Sequence, residues 1–536
     1  MKILPTNGNQ EAPVGGLNPA FLRRSEPNKT WTKKWPAVNT DQPMSPASCA
    51  RKWFVLMGLL WAFPAVVLSQ TNGLTSGDLP LTGSLGGDQV FPAVAFNATG
   101  GYLVWQDNAT DPSGLGVSLR RLGPDLTPQG APVRVNQTLA LNQHRAKVSM
   151  FTDGGAAVVF QSGIPNRHHI LARILSPGGT FATDEILVNN ALAKINSRFT
   201  TNWTLIHNNR PRTRRYTVKE SIRVRHEFNS SPSLATLADG SVVVAWSSSR
   251  VYQTNSTTLN ERVTLNSKTF ILVTNRTRIP ISTKTSGMQD VYFQRLSATG
   301  EKLGGEVQAN QFTAFNQRDA SVAALAGGGF VVVWISERQR SSTFDSLPPG
   351  AAASPSIIGA SSVDVYARLY DAAGNPQTDE FLVNTESRAC SGPSVAPGAD
   401  GGFTVAWSER AGVRTNGLDI FIRAFASGGG AVSGAVRANT FTYGDQFAPS
   451  VAAVGGQQLV VWSSMGQDGS WEGVFAQAFS GAVPVGDEFR VNVSTPFGQM
   501  QPQVAGDAVG RAMFLWSGYT TGGSGFDVFG RTYLAP

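Results

Sequence analysis

The chain has 536 residues, 57 glycines and a formal charge of +8 from 44 Lys/Arg and 36 Asp/Glu. That length exceeds one ordinary domain unless repeated units build it, since a repeat needs only its neighbours. Residues 1–52 hold eight Lys/Arg and three Asp/Glu, which leaves +3 for everything after them. Nothing global therefore points to nucleic acid.

The first 43 residues are polar and rich in Pro and Asn, and read as a disordered extension or a mis-assigned start ahead of Met44. Residues 44–70 read as a secretory signal peptide. Arg51 and Lys52 precede the apolar run Trp53 to Leu68, and Val67 and Ser69 suit a cleavage site. The run is short for a membrane span, so no stable span is expected after cleavage. The chain is expected to be secreted, periplasmic or held at the cell surface. Of the two cysteines, Cys49 lies in this leader and Cys390 would be left alone, so no intrachain disulfide is expected.

From residue 71 onward one unit recurs seven times. Its anchor is an aromatic residue closing an apolar run: Trp105, Phe160, Trp246, Trp334, Trp407, Trp462 and Trp516. A short run precedes each anchor, as in "PSVAA" (449–453), and an alternating run follows it, as in "DVYARLY" (364–370). A fourth run ends in Asn136, Asn189, Asn310, Asn384, Asn439 or Asn492. Period-2 alternation, Gly-rich turns and no sustained helical periodicity make the class all-β. Four strands per unit and seven units predict a single seven-bladed β-propeller of four-stranded antiparallel blades over 71–536. The last unit stops after its third strand, and "GDLPLTGS" (77–84) lines up with "GAVRANTF" (434–441). The N-terminal strand is thus expected to complete the last blade and close the ring. The aromatic anchors read as packing between blades, and the "GDQ" and "NQ" pairs at 87–89, 142–143, 316–317 and 444–446 as local turn chemistry.

The segment "GDQFAPSVAAVGGQQLVVWSSMGQDGSWEGVFAQAFSGAVPVGDEFRVN" (444–492) resembles repeats of secreted bacterial β-propeller proteins. The resemblance covers about residues 77–536 and is strongest in the last three units. It implies export and a propeller, and it carries no catalytic motif. "QDGSW" (467–471) is similar to a sialidase Asp-box but departs from its residue order.

Three insertions lengthen the units, at 196–227, 249–289 and 337–363, and their connection types place them on one face. The first carries eight Lys/Arg against two acids, the second six against one. Long basic loops on a rigid scaffold suit an anionic partner. The expected ligand-binding residues are Arg210, Arg212, Arg214, Arg215, Lys219, Arg223, Arg225, Arg276 and Arg278. The partner class is an acidic polysaccharide or a cell-surface protein, with no nucleic acid.

No HExxH, P-loop, G-x-S-x-G elbow or Cys/His metal spacing occurs. No catalytic residue, metal or cofactor is assigned. His168 and His169 start a strand and read as surface residues on opposite faces, and Cys390 reads as a small buried residue. The leading expectation is an exported, non-enzymatic binding protein working through its basic insertions. The alternative is a secreted carbohydrate-active hydrolase or lyase with its site at the channel mouth.

Overall fold

A computed structural model describes residues 73–83, 85–164, 167–190, 194–207, 210–265, 268–272, 282–340, 362–410, 417–520 and 525–535, with side chains over the same residues except 194–227 and 251–287. The two leader segments, 1–43 and 44–70, lie outside the described residues.

The described chain is all-β. A short strand β1 (Leu79–Pro80) comes first. Unit 1 follows as β2 (Gln89–Asn97), β3 (Gly100–Asp107), β4 (Gly116–Leu122) and β5 (Pro128–Arg134), paired in that order. Unit 2 has β6 (Asn142–Met150), β7 (Ala156–Ile164), β8 (Arg167–Leu175) and β9 (Ile186–Leu187). Strand β10 (Lys194–His207) leads to unit 3: β11 (Arg210–Thr236), β12 (Val242–Leu265), β13 (Lys268–Leu272), β14 (Ser282–Leu296) and β15 (Lys302–Gln308). One parallel bridge, Phe228 to His168, joins units 2 and 3 into a ten-stranded sheet. Unit 4 has β16 (Gln317–Ala324), β17 (Phe330–Glu337), β18 (Val363–Tyr370) and β19 (Phe381–Leu382). Unit 5 has β20 (Cys390–Pro397), β21 (Phe403–Arg410), β22 (Leu418–Phe425) and β23 (Val436–Arg437). Unit 6 has β24 (Gln446–Val454), β25 (Gln457–Met465), β26 (Glu472–Ser480) and β27 (Val483–Arg490). Unit 7 has β28 (Gln499–Gly506), β29 (Arg511–Thr520) and β30 (Gly525–Leu534), and β1 is its fourth strand, with Leu79 opposite Gly530.

First strands lie side by side in the order β2, β6, β11, β16, β20, β24, β28, and β28 returns to β2. Both faces of each unit are therefore covered. Along β18, Val365, Ala367 and Leu369 pack toward unit 5, while Tyr366 and Tyr370 pack toward unit 3. Each aromatic anchor fills the seam with the preceding unit. Trp462 packs on Ala406, Ile420 and Ile422 of unit 5, and Trp105 on Met513, Leu515 and Val528 of unit 7. Phe160 does the same against unit 1, so an apolar filler suffices in that slot.

Polar clasps recur at the same seams. A third-strand arginine donates to a carbonyl of the preceding unit: Arg173 to Val135 (2.8 Å), Arg368 to Ala309 (3.1 Å), Arg423 to Val383 (2.7 Å) and Arg531 to Val491 (2.6 Å). Arg120 reaches Leu81, just beyond β1, at 2.8 Å, so the donated strand is gripped like any other. A fourth-strand acid accepts from backbone N–H groups of the preceding unit: Glu185 from Gln137 and Thr138, Glu380 from Gln311 and Phe312, Asp78 from Val493 and Ser494. Within six of the seven units the recurrent Asn accepts from a third-strand N–H, as Asn439 does from Ile420 at 2.7 Å and also donates to Phe441 and Asp419.

The "GDQ" and "NQ" pairs divide their work, which corrects the purely local reading. The glutamines do serve local turns, as Gln446 donates to the Tyr443 carbonyl at 3.1 Å. Their Asx neighbours instead accept from the preceding unit: Asp445 from Leu418, Asn142 from Leu115, Asn316 from Gln289, and Asp88 from Phe526.

The insertions also differ from expectation. Much of 196–227 and 249–289 is strand, not loop. β10 pairs with β11 along its length, and β11 pairs with β12 from Arg214 opposite Val263 onward. Residues 341–361 of the third insertion lie outside the described residues.

Candidate axial site

Every first strand carries a β-bulge at the same place, and the bulged residue has a left-handed backbone. The seven are Phe91 (φ 54°), Arg145 (53°), Ser231 (54°), Asp319 (57°), Gly392 (57°), Ala448 (53°) and Gln501 (58°). Six of the seven are not glycine, so the conformation is strained and is held by the surrounding sheet. A bulge re-aims the side chain it displaces. Pro92, Pro232, Pro393, Pro449 and Pro502 follow the bulge in five units, and a strand tolerates proline where the ladder is already interrupted.

Five of the bulged residues, and residues after the bulge from all seven first strands, line a cavity of about 400 Å³. Two residues past the bulge stand Ala93, Lys147, Ser233, Ser321, Ser394, Ser450 and Gln503. Three of the serines tie first strands together: Ser233, Ser394 and Ser450 each accept a backbone N–H from the next unit at 3.1–3.3 Å. Lys147 instead reaches past the small Ala93 and donates to Gln503 at 2.8 Å. Burial, reinforced by the Arg145 charge, pushes the Lys147 ammonium down to about 8.

The mouth of the cavity carries opposite charges. Arg145 lies over the Phe91 ring at 5.0 Å. Asp319 pairs with Arg318 at 2.6 Å, and Arg318 also meets Glu337 at 3.1 Å. Gln501 accepts from the Phe91 N–H (2.8 Å) and from the Ser517 hydroxyl (2.9 Å), fixing its carboxamide at the seam between units 7 and 1. The arrangement offers a depressed amine able to take a proton, a fixed guanidinium, one carboxylate and several amide and hydroxyl groups. Among the described residues, no cluster of three or more His, Cys, Asp or Glu side chains gathers as a metal site.

Two residues singled out in the sequence lie away from this cavity. Cys390 is buried, its thiol pushed up by burial and by the Glu409 carboxylate. His168 is buried rather than on the surface: its ring sits 5.2 Å from His144 and 5.0 Å from Phe228. Of the nine expected ligand-binding cations, Arg210, Arg212, Arg214, Arg215, Lys219, Arg223 and Arg225 lie on strand β11, while Arg276 and Arg278 lie outside the described residues. Sequence reading missed Arg145, Lys147 and Asp319. The available signal was the proline within an otherwise regular strand, which marks the bulge.

No family model and no curated protein matches the chain. Among solved structures it is similar to Penicillium chrysogenum alpha-L-arabinanase in complex with arabinobiose, at 10% identity and a TM-score of 0.40, over 86% of this chain and 99% of that one. It is similar to the polysaccharide lyase Uly1 at 11% identity and a TM-score of 0.42, over 88% and 94%. It is also similar to the intramolecular trans-sialidase from Ruminococcus gnavus at 10% identity and a TM-score of 0.37, over 74% and 95%. These are carbohydrate-active enzymes, the class held above as the alternative. On that finding the expectation of a non-enzymatic binding protein gives way to that alternative.

Proposed function

We propose that the chain is an exported carbohydrate-active enzyme on a seven-bladed β-propeller, and that it cleaves an acidic polysaccharide by β-elimination at the axial cavity. The cyclic contact of first strands and the pairing of β1 with β30 support the propeller. The leader pattern at 44–70 and the resemblance of the repeats support export.

One observation carries the chemistry: Arg145, Lys147 and Asp319 line one cavity, where burial and the Arg145 charge push the Lys147 ammonium down to about 8. Arg145 neutralises the carboxylate of a uronate ring, which makes the adjacent C–H acidic. The neutral Lys147 amine takes that proton. The C–H electron pair becomes the new C=C bond, the glycosidic C–O bond breaks, and the leaving oxygen regains a proton from the Lys147 ammonium. Glycoside hydrolysis fits less well. It needs two carboxyl groups about 5–10 Å apart, and Asp319 is the one acid among the described lining residues.

The test is turnover of alginate, pectate and hyaluronan, followed by the ultraviolet absorbance of the unsaturated product. Activity is expected to rise with pH through about 8 as Lys147 loses its proton. Lys147→Met is expected to lower kcat by about 10²–10⁴-fold. Arg145→Ala is expected to raise KM and to move the pH limb upward, because the Arg145 charge helps depress Lys147. Reducing ends that appear without unsaturation would assign hydrolysis instead.

A further inference from the structure

The edge of the molecule that bears the bulges also bears its exposed aromatic rings. Tyr443, Trp471, Phe497 and Tyr519 are 79, 66, 42 and 44% exposed. All four lie where a fourth strand leads to a first, or at the second-to-third-strand connection, of units 5 to 7. Around unit 7 they form a run: Phe497 and Tyr519 have ring centroids 5.3 Å apart, and Tyr519 and Phe526 are 5.4 Å apart. Trp471 adjoins them, since the Ser470 hydroxyl contacts the Phe497 carbonyl.

Beside these rings is a cavity of about 340 Å³, floored by Trp516 and Phe529 and lined by Asp78, Ser494, Thr520 and the buried Gln499. Its size falls at the low end of ligand sites, about 300–1,000 Å³. Two sequence choices make it. Two residues after the aromatic anchor, the other units carry Asp107, Ser162, Ser248, Ser336, Glu409 and Ser464, but unit 7 carries Gly518. A Cβ on Gly518 would stand 3.0 Å from the Phe529 ring and 3.5 Å from the Trp516 indole nitrogen, so the missing side chain uncovers the aromatic floor. The second is Phe497, whose φ is 65°. The corresponding turn residues are Gly87 and Gly444 in two units and Leu141 and Phe315 in two others, all left-handed, so this position takes a large side chain more than once. The chain thus keeps a strained backbone at this place and sets a phenyl ring there.

We propose that this unit 7 slot is a saccharide subsite that stacks the apolar face of a neutral pyranose on Tyr519 and Phe497. Aromatic faces with a rim of amide and hydroxyl groups match a sugar ring, apolar on its C–H face and polar around its edge. The Asp78 carboxylate at the rim disfavours an anionic ring. The subsite deepens the enzyme reading, because Gln499 of the slot stands four residues before Gln503, which lines the axial cavity. A chain bound in the slot is held at the same edge as Arg145 and Lys147.

Retardation in native gels containing laminarin, xylan or alginate tests this, using the full chain and Lys147→Met. Both proteins are expected to be retarded by a neutral polysaccharide, laminarin or xylan. Tyr519→Ala and Gly518→Ser, the latter restoring the residue of four other units, are each expected to weaken retardation about tenfold. Phe497→Gly is expected to do the same while melting no lower than Phe497→Ala, because glycine accepts the left-handed backbone. Folded variants that retain full retardation overturn the subsite. If unsaturated product forms but no neutral polysaccharide retards the protein, the subsite falls alone. If retardation follows these variants but no substrate is cleaved, the axial reading falls alone.

Discussion

Trp407 and Trp462 fill the same slot in successive units but differ by one hydrogen bond. The Trp407 indole N–H donates to Glu409 at 3.0 Å, whereas that of Trp462 has no partner among the described residues. Trp462→Phe should therefore cost only packing, about 1–2 kcal/mol, as Phe160 in unit 2 already implies. Trp407→Phe should cost about 1–3 kcal/mol more, because it leaves the buried Glu409 carboxylate short of a donor. Urea unfolding of the two variants checks the difference. His144 makes a pH prediction. Burial, with help from His168 and Arg145, lowers it to about 4. As pH falls below the unfolded value of about 6.5, the unfolded chain takes the proton first, so stability drops between about 6.5 and 4. His144→Phe should flatten that acid limb in urea midpoints measured across the range.

At the scale of the element, the unit is held by its seams as much as by its own ladder. Asn439 satisfies the Ile420 N–H and bridges to Asp419 and the Phe441 carbonyl. Asn439→Ala should cost about 2–4 kcal/mol, since a buried donor and a buried carboxylate both lose partners. Arg423→Met leaves the Val383 carbonyl unpaired across a seam and should cost about 1–3 kcal/mol, read as a lower melting temperature. The element level was largely legible in sequence. The third-strand run read at 364–370 is strand at Val363–Tyr370, and the run at 473–479 lies within Glu472–Ser480. The recurrent Asn was visible too. The acid four residues before it, as in "GDEFRVN", was equally visible, but its role was not. That role lies in the preceding unit, about 50 residues away in sequence.

At the scale of the whole molecule, the short strand β1 carries a load out of proportion to its length. It pairs with β30, Thr75 meets Thr532 at 2.8 Å, and Leu81 packs with Met513, Leu515 and Trp105. A chain beginning at Gly83 should melt well below the full chain and self-associate, because β30 becomes an open strand edge. Light scattering and thermal melting of the two proteins check this.

By itself the sequence determined the unit, its number of copies and the pairing of its two ends. All three rest on periodicity, aromatic spacing and turn chemistry, which are local properties of the chain. Only the tertiary structure decided where chemistry gathers. Arg145, Lys147 and Asp319 lie in two different units and line one cavity because each first strand carries its bulge at the same place. Gly518 opens a slot only because the aromatic rings of its own unit lie beneath it. Much of the basic insertions, the loudest charge signal in the sequence, is paired strand, a pairing their charge did not announce. Charge along a chain does not fix which side chains share a space; the register of packed sheets does.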